Sequence, residues 1–200
     1  VGVAIKNDIN GGYIVVGTTD RSEMKREQQS LNNILLLKVN SLGSVVKTRI
    51  IGGVSDEYAT DIEVLSDGYI VPVTVGIESV NQKGYILRIP ADIYSTPTFG
   101  PDIKFSASAN ILSYSFKAIS SYKSNSYVIA GQTGIGTSAK MLIFVLDANG
   151  TQVEGKEKIF GGSGAQVAND VITDENDNII AVGKNSFENN SMISLLKFRF

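Results

Sequence analysis

The sequence predicts an all-β fold built from four copies of one unit. Three observations predict it. A short phrase recurs at intervals of 56, 58 and 52 residues, the segments on either side of it keep step, and no stretch carries a helical period with caps. The phrase reads Gly11-Gly12-Tyr13-Ile14-Val15-Val16-Gly17. It returns as Asp67-Gly68-Tyr69-Ile70-Val71-Pro72-Val73, as Ser126-Tyr127-Val128-Ile129-Ala130-Gly131, and as Asn178-Ile179-Ile180-Ala181-Val182-Gly183.

Each copy holds four short strands rich in Val, Ile, Leu and Tyr, parted by Gly, Asn, Asp and Ser turns. The first strand is marked by an apolar residue at Ile5, Ile62, Ile119 and Val171. The phrase is the second strand. The third is an apolar run closed by a turn, as in Ile34-Leu35-Leu36-Leu37 before Asn40-Ser41-Leu42-Gly43 and Ile143-Phe144-Val145-Leu146 before Asp147-Ala148-Asn149-Gly150. The fourth ends in a glycine pair, Gly52-Gly53 or Gly161-Gly162.

The continuous run 34–37 suits a strand covered on both faces, while Val46-Lys47-Thr48-Arg49-Ile50 alternates in part, as a half-exposed outer strand would. Central strands sandwiched between neighbouring sheets, with outer strands meeting water, describe a β-propeller. The reading is one β-propeller-like repeat domain over 1–200, with four repeats of four antiparallel strands at about 1–53, 54–105, 106–162 and 163–200. The third copy reads as the most eroded: residues 90–115 carry three of the four prolines and lose the glycine pair, and a divergent outer strand is expected near Ile103-Lys104-Phe105. The last repeat ends after its third strand, so about 15 strands are expected. The ring is then four-bladed with an incomplete blade, part of a larger propeller, or completed by residues upstream of Val1. An unpaired strand from Leu195 to Phe200 would be an edge able to pair with another chain, a route to a homo-oligomer.

Composition narrows the function. Net charge is −2, which disfavours nucleic acid and anionic membrane surfaces. The chain has no cysteine and no histidine, so disulfides, thiolate metal sites, zinc hydrolase chemistry and Ser-His-Asp chemistry are not expected, nor is a cofactor. No apolar run approaches a membrane span, and no signal peptide is visible at Val1.

The unit resembles the propeller repeat common in bacterial secreted and surface proteins. That repeat runs Ser-Asp-Gly-Gly-Tyr-Ile-Val-x-Gly, then Leu-Leu-Lys-Leu-Asp-x-Asn-Gly, then a strand ending in Gly-Gly. Gly11 to Thr18, Leu36 to Asn40, Gly52 to Val71 and Val145 to Gly162 carry the likeness. The tryptophan usual in the family's fourth strand is absent; Val45, Val46 and Val153 stand in that region. The resemblance implies an extracytoplasmic location (periplasm, cell surface or secreted) and transfers no catalytic residue.

Function is therefore sought where the copies differ. The acidic residues Asp56, Glu57, Asp61 and Asp170 are the candidate ligand-binding group at the channel. Asp61 and Asp170 fall where the other copies have Ala4 and Ala118, so acidity there serves no shared structural need. The charged insertion beginning Asp20-Arg21-Ser22-Glu23 lengthens one loop and reads first as solvated surface. Asp174-Glu175-Asn176-Asp177-Asn178 places oxygen ligands alternately like a calcium loop, but it lacks the glycine at the sixth place and has Asn185 at the twelfth. Gly131-Gln132-Thr133-Gly134-Ile135-Gly136 follows a strand without leading into a helix, which the phosphate-binding geometry requires. Asn149-Gly150-Thr151 and Asn189-Asn190-Ser191 match the glycosylation pattern in turn-like segments.

The first reading is a non-catalytic extracytoplasmic propeller scaffold binding a protein or glycan; the alternatives are a carboxylate-dependent carbohydrate-active enzyme and a blade set that assembles into a larger propeller or oligomer.

Overall fold

The computed structural model describes residues 1–20, 31–52, 55–76, 82–99, 113–123, 125–187 and 190–200. The chain forms four antiparallel sheets in succession, each a blade. Blade 1 is β1 (Gly2–Asn7), β2 (Tyr13–Thr19), β3 (Asn33–Val39) and β4 (Val45–Ile51), paired in that order. Blade 2 has an innermost strand in two pieces, β5 (Glu57–Ala59) and β6 (Glu63–Val64), both paired with β7 (Gly68–Val75), followed by β8 (Lys83–Pro90) and β9 (Thr98–Phe99). Blade 3 is β10 (Tyr114–Tyr122), β11 (Ser126–Thr133), β12 (Lys140–Leu146) and β13 (Gln152–Phe160). Blade 4 has three strands, β14 (Gln166–Thr173), β15 (Ile179–Phe187) and β16 (Asn190–Phe198). The propeller-like architecture expected from the repeat is present, including the last blade without an outer strand.

The turns explain themselves locally. Asn40 and Asp147 each accept two backbone N–H bonds through the side chain, from Leu42 and Ser44 and from Asn149 and Thr151. Gly43 and Gly150 then take the left-handed conformation that closes each hairpin. In the second strand, Gly17, Gly131 and Gly183 lie opposite a bulge in the innermost strand. A Cβ on Gly131 would lie 2.1 Å from the Ser115 carbonyl oxygen, and one on Gly183 1.9 Å from that of Val167. Blade 2 has Val73 at this place, and there the innermost strand is split into β5 and β6. Pro72 is tolerated in a central strand because its missing N–H falls at that split, while its carbonyl accepts the Thr60 N–H at 3.1 Å.

Burial follows position in the array. β7 of blade 2 and β11 and β12 of blade 3 are buried almost throughout, and β8 of blade 2 is buried at half its positions. Three apolar clusters fill the spaces between consecutive blades: Ile14, Val16, Ile34 and Leu36 against Tyr69, Val71 and Leu87; Ile70 and Ile86 against Phe116, Ile129 and Phe144; Val128, Ala130 and Ile143 against Ala168, Val171 and Ile179. The two end blades have one covered face each.

Several expectations change. Run 34–37 is buried on one face only, Leu35 and Leu37 being half-buried, because among the described residues no blade covers the other side of blade 1. Of the irregular stretch, residues 91–99 belong to the outer end of blade 2, and blade 3 has four regular strands. The outer strand of blade 2 is Thr98–Phe99; Ile103-Lys104-Phe105, where it was expected, lies outside the described residues, as do insertion residues 21–30. Among the described residues no strand pairs with the outer edge of β16. The end of that strand is anchored on blade 3 by Phe198, packed at a tilt against Phe160 at 5.3 Å and edge-to-face with Phe200 at 5.4 Å, with the Lys158 ammonium over both Phe198 and Phe200.

Candidate functional site

The innermost strands line the axis. Each carries its bulge at the same level, and the residue after the bulge is Ala4 in blade 1, Ala118 in blade 3 and Asp170 in blade 4. Asp61 takes this level in blade 2, within the split between β5 and β6. Two small and two acidic residues therefore occupy equivalent positions at one level of the innermost strands.

Asp61 is half-buried and Asp170 is exposed. One Asp61 oxygen accepts the Ile62 N–H at 2.8 Å, and the other accepts the Ile119 N–H of blade 3 at 3.0 Å. Burial pushes its carboxyl above the usual carboxylate range. The two amide bonds and the Lys6 ammonium pull against that, and the negative charge of Asp170 adds to the rise. Asp170 accepts the N–H of Val171 at 2.8 Å. Lys6 also reaches Glu63 at 3.3 Å, tying the innermost strands of blades 1 and 2. The axial group is thus Asp61 and Asp170 with Lys6 and Glu63 beside them. Lys6 and Glu63 were missed in the sequence because they share no motif; they meet only once two repeats are placed side by side.

Asp56 and Glu57 lie elsewhere, at the start of β5. One Asp56 oxygen accepts both the backbone N–H and the side-chain amide of Asn32, at 2.9 and 3.0 Å, and that amide also donates to the Tyr58 hydroxyl at 2.9 Å. Burial and the neighbouring Glu57 carboxylate, which accepts its hydrogen bond, push the Tyr85 hydroxyl above its ordinary value. Beside this group a hollow of about 640 Å³ opens between blade 1 and the start of blade 2, lined by Thr18, Asp20, Asn32, Leu35 and Tyr58 among others. The four candidate carboxylates accordingly fall into two groups, and only Asp61 and Asp170 share the axis.

At the opposite end, a cleft of about 430 Å³ runs between blades 2 and 3, bordered by Asp67, Arg88, Lys123, Asn149 and Tyr127. Arg88 is held there by the Ala148 carbonyl at 2.8 Å and by the Asp67 carboxylate at 3.1 Å. The stretch 174–178 is a hairpin turn: Asp174 accepts the N–H groups of Asn176 and Asn178 and pairs with Lys197 at 2.8 Å, which leaves its carboxylate committed. Residues 131–136 end β11 and lead only into a single 3₁₀ turn, Gly136–Ser138. Among the described residues no three carboxylates gather as a metal site would need, and no helix is long and apolar enough to cross a membrane.

No protein-family model and no curated protein sequence matches the chain. Solved structures similar in fold include two enzymes. One is a thermostable family-43 glycoside hydrolase, at 10% identity and a TM-score of 0.58, matched over 98% of this chain and 70% of its own. The other is an endo-arabinase from Bacteroides thetaiotaomicron, at 11% identity and a TM-score of 0.54, over 98% and 74%. At these identities the likeness establishes the fold.

Proposed function

We propose that this propeller acts on carbohydrate through the axial pair Asp61 and Asp170. One observation carries the reading: two carboxylates replace alanines at the same level of the axis, and the half-buried one, Asp61, is shifted upward by burial with the other's charge contributing. Glycoside hydrolysis needs such a pair, one carboxyl that keeps its proton and one that does not. Asp61 would protonate the leaving glycosidic oxygen. Asp170, exposed on β14 of blade 4, would activate water or attack the anomeric carbon. That similar structures include a family-43 glycoside hydrolase and an endo-arabinase supports the substrate class. A glycan ligand and an extracytoplasmic location belong to the same reading.

The test is reducing-end release from a panel of oligosaccharides, arabinan included, by the wild type, Asp61→Asn and Asp170→Asn. Each variant should lose about 10²–10⁴-fold in rate. Activity should also fall as pH rises through the raised Asp61 value. Turnover untouched by either change, or a wild type that cleaves nothing on the panel, would remove the enzyme reading.

A second reading rests on the bond from the Ile119 N–H to Asp61, which stitches blade 2 to blade 3. There the chain is a non-catalytic scaffold for a protein or glycan, and Asp61 serves the fold. It is favoured if Asp61→Asn lowers the melting temperature while the wild type binds glycan without cleaving it.

A further inference from the structure

The two uncovered faces of the array match an interface that the molecule already contains. Blade 2 covers blade 1 over Ile14, Val16, Ile34 and Leu36, all fully buried, and over the Lys38–Asp8 ion pair at 3.0 Å. The Asp8 carboxylate also accepts a bond from the Tyr69 hydroxyl of blade 2.

Strand register places the corresponding positions of blade 4 without ambiguity. Val16 lies between Ala4 and Leu36; Val182 lies between Asp170 and Leu195. Counting from there, the blade 4 residues are Ile180, Val182, Ile193 and Leu195, and the ion pair is Lys197–Asp174 at 2.8 Å. All six side chains are of the same type as their blade 1 counterparts. Here the face is open, with Ile193 86% and Leu195 70% exposed.

The covering surface is repeated as well. Blade 2 applies Ile62, Tyr69, Val71, Leu87 and Ile89 to blade 1. By the same register, the open face of blade 1 presents Ile5, Tyr13, Val15, Leu37 and Val39, of which Ile5 is 59% and Tyr13 38% exposed. Three positions depart among the described residues: Ile172 of blade 4 stands where blade 1 has Lys6, so the Lys6–Glu63 bridge has no equivalent; Asp170 stands where blade 1 has Ala4; and three-stranded blade 4 has no counterpart of Ile51.

We propose that the open face of blade 4 docks on blade 1 of a second copy of this chain, repeating the blade 1–blade 2 contact, with Tyr13 of one copy donating to Asp174 of the other. The match of six positions on one face and of the covering apolar row on the other selects this occupant. Exposed apolar sheet faces of this extent otherwise cost solubility. The contact joins two different surfaces, so it is head-to-tail.

The experiment is light scattering and sedimentation of the 200-residue chain across a wide concentration range, with Leu195→Asp and Ile5→Asp. Both side chains are already exposed, so neither change disturbs the interior, and circular dichroism checks this. The wild type should self-associate and each variant alone should be monomeric. An equimolar mixture of the two should form a one-to-one dimer, because one intact pair of faces survives. Tyr13→Phe should weaken association about tenfold, as loss of a hydrogen bond to a charged group does. A wild type that stays monomeric at every concentration overturns the proposal, whether through closure within one chain or a need for another partner. So does a dimer that persists in both variants, which would point to edge pairing along β16, or a mixture that fails to associate.

Discussion

Replacing Asp8 with asparagine perturbs one buried charge and leaves the shape of the side chain intact. Asp8 sits in the β1–β2 hairpin, where its backbone N–H donates to Gly12 and its carbonyl accepts from Gly11. Its side chain is 4% exposed and that of its partner Lys38 is 9% exposed, with the Lys38 ammonium 5.3 Å from the centre of the Tyr69 ring. Burial alone would raise the Asp8 carboxyl. The bonds from Tyr69 and Lys38 and the Lys38 charge outweigh it and hold the group below its ordinary value. Asparagine keeps an acceptor for Tyr69 but strands the Lys38 ammonium, which breaks a buried pair and should cost about 3–5 kcal/mol. The repeat supplies its own control: Asp174–Lys197 is the same pair in the same hairpin of blade 4, with Lys197 58% exposed, so Asp174→Asn should leave stability near that of the wild type. Urea unfolding followed by circular dichroism reads both. Hydrogen exchange should place the Asp8 loss at the junction of blades 1 and 2. Because the Asp8 value is depressed in the fold, its contribution is complete above the ordinary carboxylate value and is lost as pH falls through the lowered one. An Asp8→Asn cost no larger than that of Asp174→Asn would refute the reasoning.

Asp61 should show the opposite sign. Its raised carboxyl stabilises the fold below the ordinary carboxylate value, and that contribution is lost as pH rises through the raised value; Asp61→Asn should flatten this part of the stability–pH curve measured by thermal melts. Gly131→Ala sets a Cβ 2.1 Å from the Ser115 carbonyl oxygen and should cost about 1–3 kcal/mol in denaturant titration, whereas Gly2→Ala, with open space around it, should cost far less. Phe144→Ala removes a ring packed 5.3 Å from Phe116 between blades 2 and 3 and should cost about 3–5 kcal/mol, while Ile193→Ala on the open face should be nearly silent in the monomer.

The unequal legibility of this molecule has a physical basis. Strand period, hairpin chemistry and the recurring phrase are local, so four sheets, their strand order and the three-stranded last blade could be read along the chain. Asp61 and Asp170 could be picked out because they break a repeat that has alanine elsewhere. Their partners could not: Lys6 touches Glu63 and Ile119 binds Asp61 only after neighbouring blades are set against each other. The same limit misplaced Asp56 and Glu57, whose closeness in sequence to Asp61 suggested one acidic group. Antiparallel geometry sends them to the strand start and into the hydrogen bonds of Asn32 and Tyr85.

Sequence by itself determined the repeat, the all-β class and the identity of the side chains on each face, because these depend on period and turn residues within one unit. Which faces are covered was decided only by the tertiary structure. Lys38 and Lys197 are the same residue in the same local setting, and one is buried while the other meets water. The difference lies in whether a further blade packs on that side, and no local pattern encodes the presence of a neighbour.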